Sequence, residues 1–249
     1  MNDALRYYAT TLSGDERKAY YAMEEGFADV SRSIRLPRLA YGRLQELMTM
    51  VKYDHPAYFY VGTPSFRAVP TATHMEMLPS YHFAVKEIPS LVAAADKRLT
   101  RVLAPAEGMT DPEKVRFVWE FIRDHVTYEK LTRNYSHEIY GVLFHGIGVC
   151  EGIAKTVKIM LDRLSVESLV VLGDTGEEGM RHAWNVIWLY GKPRHYDFTF
   201  DLSLVKAGKK PYYRNLCDDV IFRDHRPSVF PLPSAADTVC EATYEYCYN

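Results

Sequence analysis

Gly146-Ile147-Gly148-Val149-Cys150-Glu151-Gly152-Ile153-Ala154 is the stretch where a glycine-rich loop gives way to a helical pattern, with a cysteine at the junction. After Cys150 the large apolar residues are Ile153, Val157, Met160, Leu161 and Leu164. That is the i, i+4, i+7, i+8, i+11 spacing of one buried helical face. Cys150 sits three residues before Ile153, so it opens that face on the first turn. A helix N-terminus carries partial positive charge and unpaired N–H groups, and both favour a thiolate. Cysteine is also among the most buried residue types. The stretch therefore predicts the helix, and the thiol's role is decided by its neighbours.

Upstream, Thr110-Asp111-Pro112-Glu113 starts a helix, with Asp111 as cap and Pro112 at the first helical position. Val115, Val118, Trp119 and Ile122 line its face to about His125. Val126-Thr127-Tyr128 reads as extended, and a polar loop runs from Lys130 to His145. Downstream, Ser168-Leu169-Val170-Val171-Leu172 is a buried strand, followed by an acidic loop over Gly173 to Gly179. His182 to Tyr190 reads as a second strand, Gly191-Lys192-Pro193 as a turn, and Arg194 to Phe200 as a returning third strand. A helix followed by an antiparallel meander makes the fold class α+β.

A thiol nucleophile needs a base within hydrogen-bond reach, and the base needs a group to hold its tautomer. His182 is the candidate base. Asp197, Thr199 and Asp201 share its strand face by period-2 alternation. A tight turn on Gly191-Lys192 sets His182 opposite Asp201, whereas a bulge near Pro193 brings Asp197 closer. Spacing leaves the two aspartates open.

The chain has 249 residues, 47% of them hydrophobic and 25% charged, with a net charge of −2 and no run of five like charges. This balance points to neither nucleic acid nor a membrane as partner. No apolar run reaches ~18 residues, and the start lacks the pattern of a signal peptide, so the default expectation is cytoplasmic. Without C-x-x-C, H-E-x-x-H, a P-loop or G-x-G-x-x-G, neither a metal nor a nucleotide cofactor is expected. Of the four cysteines, Cys150, Cys217, Cys240 and Cys247, the last two fall on opposite faces of an alternating stretch and read as reduced thiols. Residues 1–105 read as a mostly helical extension, with helices behind Ser13-Gly14-Asp15-Glu16 and over Leu44 to Val51. Tyr58 to Val61 reads as a strand, and the proline-bearing 62–90 as loop.

Gly148-Val149-Cys150-Glu151-Gly152, His182-Ala183-Trp184-Asn185 and Asp197-Phe198-Thr199-Phe200-Asp201 together resemble the core of the transglutaminase-like superfamily, with its G-V-C-x-G, H-A-W-N and D-P-T-W-D. The resemblance covers roughly residues 112–201 and continues more weakly through Tyr212-Tyr213 to Asp224-His225. It implies a papain-like α+β core over 106–230, with a strand-like tail over 231–249. It also implies Cys150 as nucleophile, His182 as general base and acid, and Asp197 as the residue orienting His182. The expected substrate is a peptide or protein amide, hydrolysed or, alternatively, cross-linked through glutamine; a silent peptide-binding module is the non-enzymatic alternative. The Cys150 N–H is one oxyanion donor. Tyr128, Tyr140 and Trp119 are further possibilities, and Trp184 either packs over the site or walls its cleft. Phe198 and Phe200 depart from the family's Pro and Trp. Asn185 is read as bracing its strand, and His195 and His145 as ordinary histidines near the site.

Overall fold

A computed structural model describes residues 6–129, 133–176, 178–228 and 230–236. Of the expected strand-like tail, residues 231–236 are described and form no strand; the rest, with Cys240 and Cys247, and the start of the expected polar loop at Lys130 lie outside the described residues. The chain divides into two compact units between Ala95 and Asp96.

In the first unit α1 (Tyr7–Thr11), α2 (Gly14–Ala28) and α3 (Tyr41–Asp54) accompany the strands β1 (Ile34–Leu36), β2 (Val61–Pro70) and β3 (Met75–Tyr81). The helices bury Tyr20, Met23 and Phe27 on α2 and Leu44, Leu47, Met48 and Val51 on α3. The sheet corrects the reading of 62–90 as loop. Its order is β1-β3-β2, all antiparallel. The prolines that argued against strands sit where a sheet tolerates them. Pro64 lies in the register shift between Val61 and Phe66, Pro70 ends the edge strand β2, and Pro79 pairs with Phe66 beside the irregularity.

Helix α4 (Ile88–Leu103) carries the chain across the division. The second unit continues with α5 (Asp111–His125), β4 (Thr127–Tyr128), a π-helical turn (Gly141–His145), β5 (Ile147–Gly148) and α6 (Cys150–Arg163). Then come β6 (Ser168–Thr175), β7 (Met180–Leu189), β8 (Lys192–Tyr196), α7 (Phe198–Lys206), α8 (Asp218–Ile221) and β9 (His225–Pro227). Helix α5 is capped one residue earlier than expected. The Glu113 carboxylate accepts from the Thr110 N–H at 2.8 Å and from its hydroxyl at 2.7 Å, a capping box.

The core is α+β, with α6 buried along Gly152–Leu161 and packed on an antiparallel sheet of order β8-β7-β6-β9. Asn185 on β7 donates to the Ala154 carbonyl of α6 at 3.0 Å and to Leu169 of β6 at 3.3 Å, so it braces the helix as well as the strand. Two expectations about the hairpin are corrected. Leu189 pairs with Lys192, so the turn is Tyr190-Gly191, one residue earlier. Both turn residues have positive φ, 55° and 74°, as a type I′ turn requires. The returning strand stops at Tyr196 and the chain enters α7, so Thr199 and Asp201 are helical.

Among the described residues no helix is long and apolar enough to cross a membrane.

Candidate active site

Cys150 is the first residue of α6, after Val149 in extended conformation. The segment before it is clamped to the helix start. The Val149 N–H donates to Ser136 at 3.0 Å, and a Cβ at Gly152 would lie 2.3 Å from that same Ser136 oxygen, so only glycine fits. Lys155, one turn along, is fully buried and reaches Glu151 at 2.9 Å, Glu138 at 3.1 Å and the His137 carbonyl at 3.1 Å. Burial opposes its charge, but the two carboxylates outweigh that and hold the ammonium protonated.

The Tyr190-Gly191 turn decides which aspartate meets His182. The pairing ends at Asn185↔Tyr196; extended one step, that register would set Asp197 opposite Trp184, one diagonal step from His182. His182 Nε2–H donates to Asp197 Oδ2 at 2.7 Å, and both residues are buried. Cys150 acts electrostatically on the same ring. Burial disfavours the imidazolium, yet Asp197 and then Cys150 outweigh it and push His182 up to about 10. For Asp197, burial raises the pKa, but His182 and His225 pull it down to about 2. Asp197 also caps α7, where its Oδ1 accepts from the N–H groups of Thr199 at 2.9 Å and Phe200 at 3.0 Å.

Asp201 serves elsewhere. It is buried in α7, accepts from the N–H groups of Tyr212 at 2.6 Å and Tyr213 at 2.7 Å, and pairs with Arg214 at 2.9 Å. Burial pushes it up to about 6.

His225 was not singled out in sequence as a site residue. It is fully buried on β9, and its Nε2 lies 3.0 Å from Asp197 Oδ2. Its only sequence signal is the Asp224-His225 pair within the weaker part of the resemblance. The donor atoms of His182, Asp197 and His225 lie within 4.8 Å of one another. Two of their separations, 2.7 and 3.0 Å, are hydrogen-bond lengths, shorter than the ~3.3 Å that two tetrahedral ligands ~2.0 Å from zinc would keep. We therefore read the cluster as proton-sharing rather than metal-binding.

Tyr128, on β4, is half-buried; burial raises its pKa, and the charges of Cys150 and Asp197 add to the rise, which puts its hydroxyl within electrostatic reach of the site. Tyr140 packs in an aromatic cluster with Tyr135, Phe144 and His145. Trp184 does not wall a cleft, being 1% exposed. Its ring lies parallel to that of His182 at 6.2 Å, and its Nε1–H donates to His195 Nδ1 at 3.0 Å. His195 is buried too and meets Asp218 at 2.9 Å. Trp119 packs against Phe198 and under the Arg214 guanidinium. Among the described residues Cys150 is the free cysteine, and Cys217 is disulfide-bonded.

Residues 97–198 match the model of the transglutaminase-like superfamily. That segment holds Cys150, His182 and Asp197 and ends before His225, so the resemblance read from three motifs holds over this core. No curated protein matches the chain. Among solved structures, the chain is similar to a TGase at 16% identity and a TM-score of 0.38, covering 56% of this chain and 45% of that one. It is similar to a candidate cysteine protease from Cytophaga hutchinsonii at 13% identity and a TM-score of 0.37, covering 54% of this chain and 61% of that one. It is also similar to a candidate protease from Parabacteroides distasonis at 14% identity and a TM-score of 0.33, covering 54% and 36%. In each case the chain spans less than two thirds of the neighbour's length.

Proposed function

We infer that the protein is a cysteine-dependent acyl-transfer enzyme that hydrolyses amide bonds of peptide or protein substrates. One observation carries this reading. The His182 ring is held at Nε2 by Asp197 at 2.7 Å, and Cys150, at a helix start, is close enough to raise the pKa of that ring.

With Nε2 committed, Nδ1 is the nitrogen left for the thiol. A protonated His182 beside the sulfur stabilises a thiolate. Cys150 Sγ attacks the amide carbonyl, and the carbonyl π electrons move to oxygen. The Cys150 N–H, unpaired at the helix start, is one donor for that oxyanion. Tyr128 is the second candidate, because burial and nearby negative charge keep its hydroxyl protonated. His182 then gives its proton to the departing amine, leaving a thioester. It next takes a proton from water, which attacks the thioester and releases the acid. Asp197 keeps His182 in one tautomer throughout.

Incubating the protein with casein, a glutamine peptide and a labelled primary amine tests the reading. New termini or deamidation, lost in Cys150→Ala, are expected. Amine incorporation exceeding hydrolysis would make the protein a cross-linker. No product of any kind, together with unchanged peptide binding in Cys150→Ala, would make it a silent binding module.

A further inference from the structure

His225 is a buried imidazole that the triad leaves without a role. Its Nε2 lies 3.0 Å from Asp197 Oδ2, the oxygen that already accepts from His182. Its Nδ1 lies 2.6 Å from Asp224 Oδ1, and the other Asp224 oxygen accepts from the Tyr213 hydroxyl at 2.5 Å. Ionised carboxylates only accept, so this pair of contacts calls for hydrogen on both ring nitrogens. The ring is fixed from all sides. Trp184 and Phe200 stand 5.0 Å away, His182 5.5 Å and Tyr213 5.6 Å.

Resting on the reading of Cys150, His182 and Asp197 as a triad, we propose that His225 is a positioning residue that divides the Asp197 carboxylate between two imidazoles and so limits how firmly Asp197 holds His182. Asp197 Oδ1 is taken by the N–H groups of Thr199 and Phe200, so the carboxylate cannot rotate to give each histidine its own oxygen. Both rings must share Oδ2. A second N–H on one oxygen weakens its hold on the first, and positive charge on that second ring opposes positive charge on His182. A general acid must also release its proton, and an aspartate reserved for His182 would hold that proton too tightly. His225 offsets that grip.

The charged and titratable surroundings are defined. His225 faces Asp197, Asp224, His182 and Tyr213, and its charge is felt by His195 on β8. His182 faces Cys150 and Asp197. Tyr128 and Asp201 interact with the Asp197 charge from β4 and α7.

The test uses the full chain and needs no substrate. Iodoacetamide alkylation of Cys150 is followed across the pH range in the unaltered protein, His225→Gln and Asp224→Asn. The alkaline transition reports loss of the His182 proton. In His225→Gln, which keeps an N–H donor without charge, it should move up by about one pH unit. Asp224→Asn leaves the ring in place but removes its outer counter-charge, and should shift the transition in the same direction. That variant decides alone if His225→Gln fails to fold. An unshifted or lowered transition overturns the proposal. Stoichiometric zinc in the purified protein, lost in His225→Gln, overturns it as well. If Cys150 of the unaltered protein labels no faster at pH 6 than an ordinary thiol, the triad reading falls and takes this proposal with it. An activated Cys150 with unshifted variants removes this proposal alone.

Discussion

Asn185 and Ala154 join the two halves of the candidate site. The Asn185 side chain donates to the Ala154 carbonyl at 3.0 Å, so the strand bearing His182 is tied to the helix that Cys150 begins. Both ends of this bond are buried, and a second one reaches Leu169 on the neighbouring strand. Asn185→Ala should therefore cost about 1–3 kcal/mol in urea unfolding. It should also slow alkylation of Cys150 at pH 6, because the helix start is no longer registered against His182. Lost stability with unchanged alkylation would mean that packing alone sets that register.

The two aspartates should separate by function. In Asp197→Asn the amide can present an N–H where His182 needs an acceptor, which upsets the tautomer. Hydrolysis should fall by about 10³–10⁴-fold, and the unfolding midpoint should fall too, because Asp197 also holds His182 and His225 and caps α7. Asp201→Asn keeps an oxygen for the Tyr212 and Tyr213 N–H groups but weakens the pair with Arg214. It should lose stability while retaining most activity. Turnover assays beside urea unfolding check both, and the reverse ranking would move the orienting role to Asp201.

That separation marks where sequence reasoning reached and where it stopped. The face of α6 was legible because Ile153, Val157, Met160 and Leu161 repeat at helical spacing and are all buried. The aspartate is ambiguous in sequence because Gly191-Lys192 reads as the turn. A glycine marks a turn without saying which of its neighbours shares it, and here Tyr190 accepts a φ of 55°. That one-residue change moves the register by two and selects Asp197. The strand read over Arg194 to Phe200 overruns β8, since Phe198 and Phe200 fit a strand as well as a helix until Asp197 caps α7. In the first unit Pro64, Pro70 and Pro79 concealed a sheet, because their tolerance depends on an edge and an irregularity that only pairing defines. His225 was hidden for a similar reason. Its approach to Asp197 depends on β9 pairing with β6, where His225 stands opposite Thr175. No local pattern over three residues announces such a contact.

The proton on His182 should be visible in stability as well as in chemistry. Its pKa is raised in the folded state, from the ordinary 6.5 to about 10, by Asp197 and Cys150 acting against burial. The sign follows from linkage. The contribution is fully present below about 6.5 and is lost as pH rises through about 10. At about 1.4 kcal/mol per unit, and allowing for coupling to Cys150, this is on the order of 3 kcal/mol. The acid side is less clean. Asp197, lowered to about 2, loses its contribution as pH falls toward that value. Asp201, raised to about 6, gains on protonation and offsets part of that loss. The alkaline side therefore gives the sharper measurement, provided the general titration of lysines and tyrosines near pH 10 is subtracted. His182→Gln performs that subtraction, since it removes this one proton and leaves the rest. Urea unfolding between pH 7 and pH 10 should show the unaltered protein losing more stability than His182→Gln. Parallel losses in the two proteins would mean that His182 is already neutral at pH 7, and a general base without an imidazolium–thiolate pair would then have to replace the mechanism drawn above.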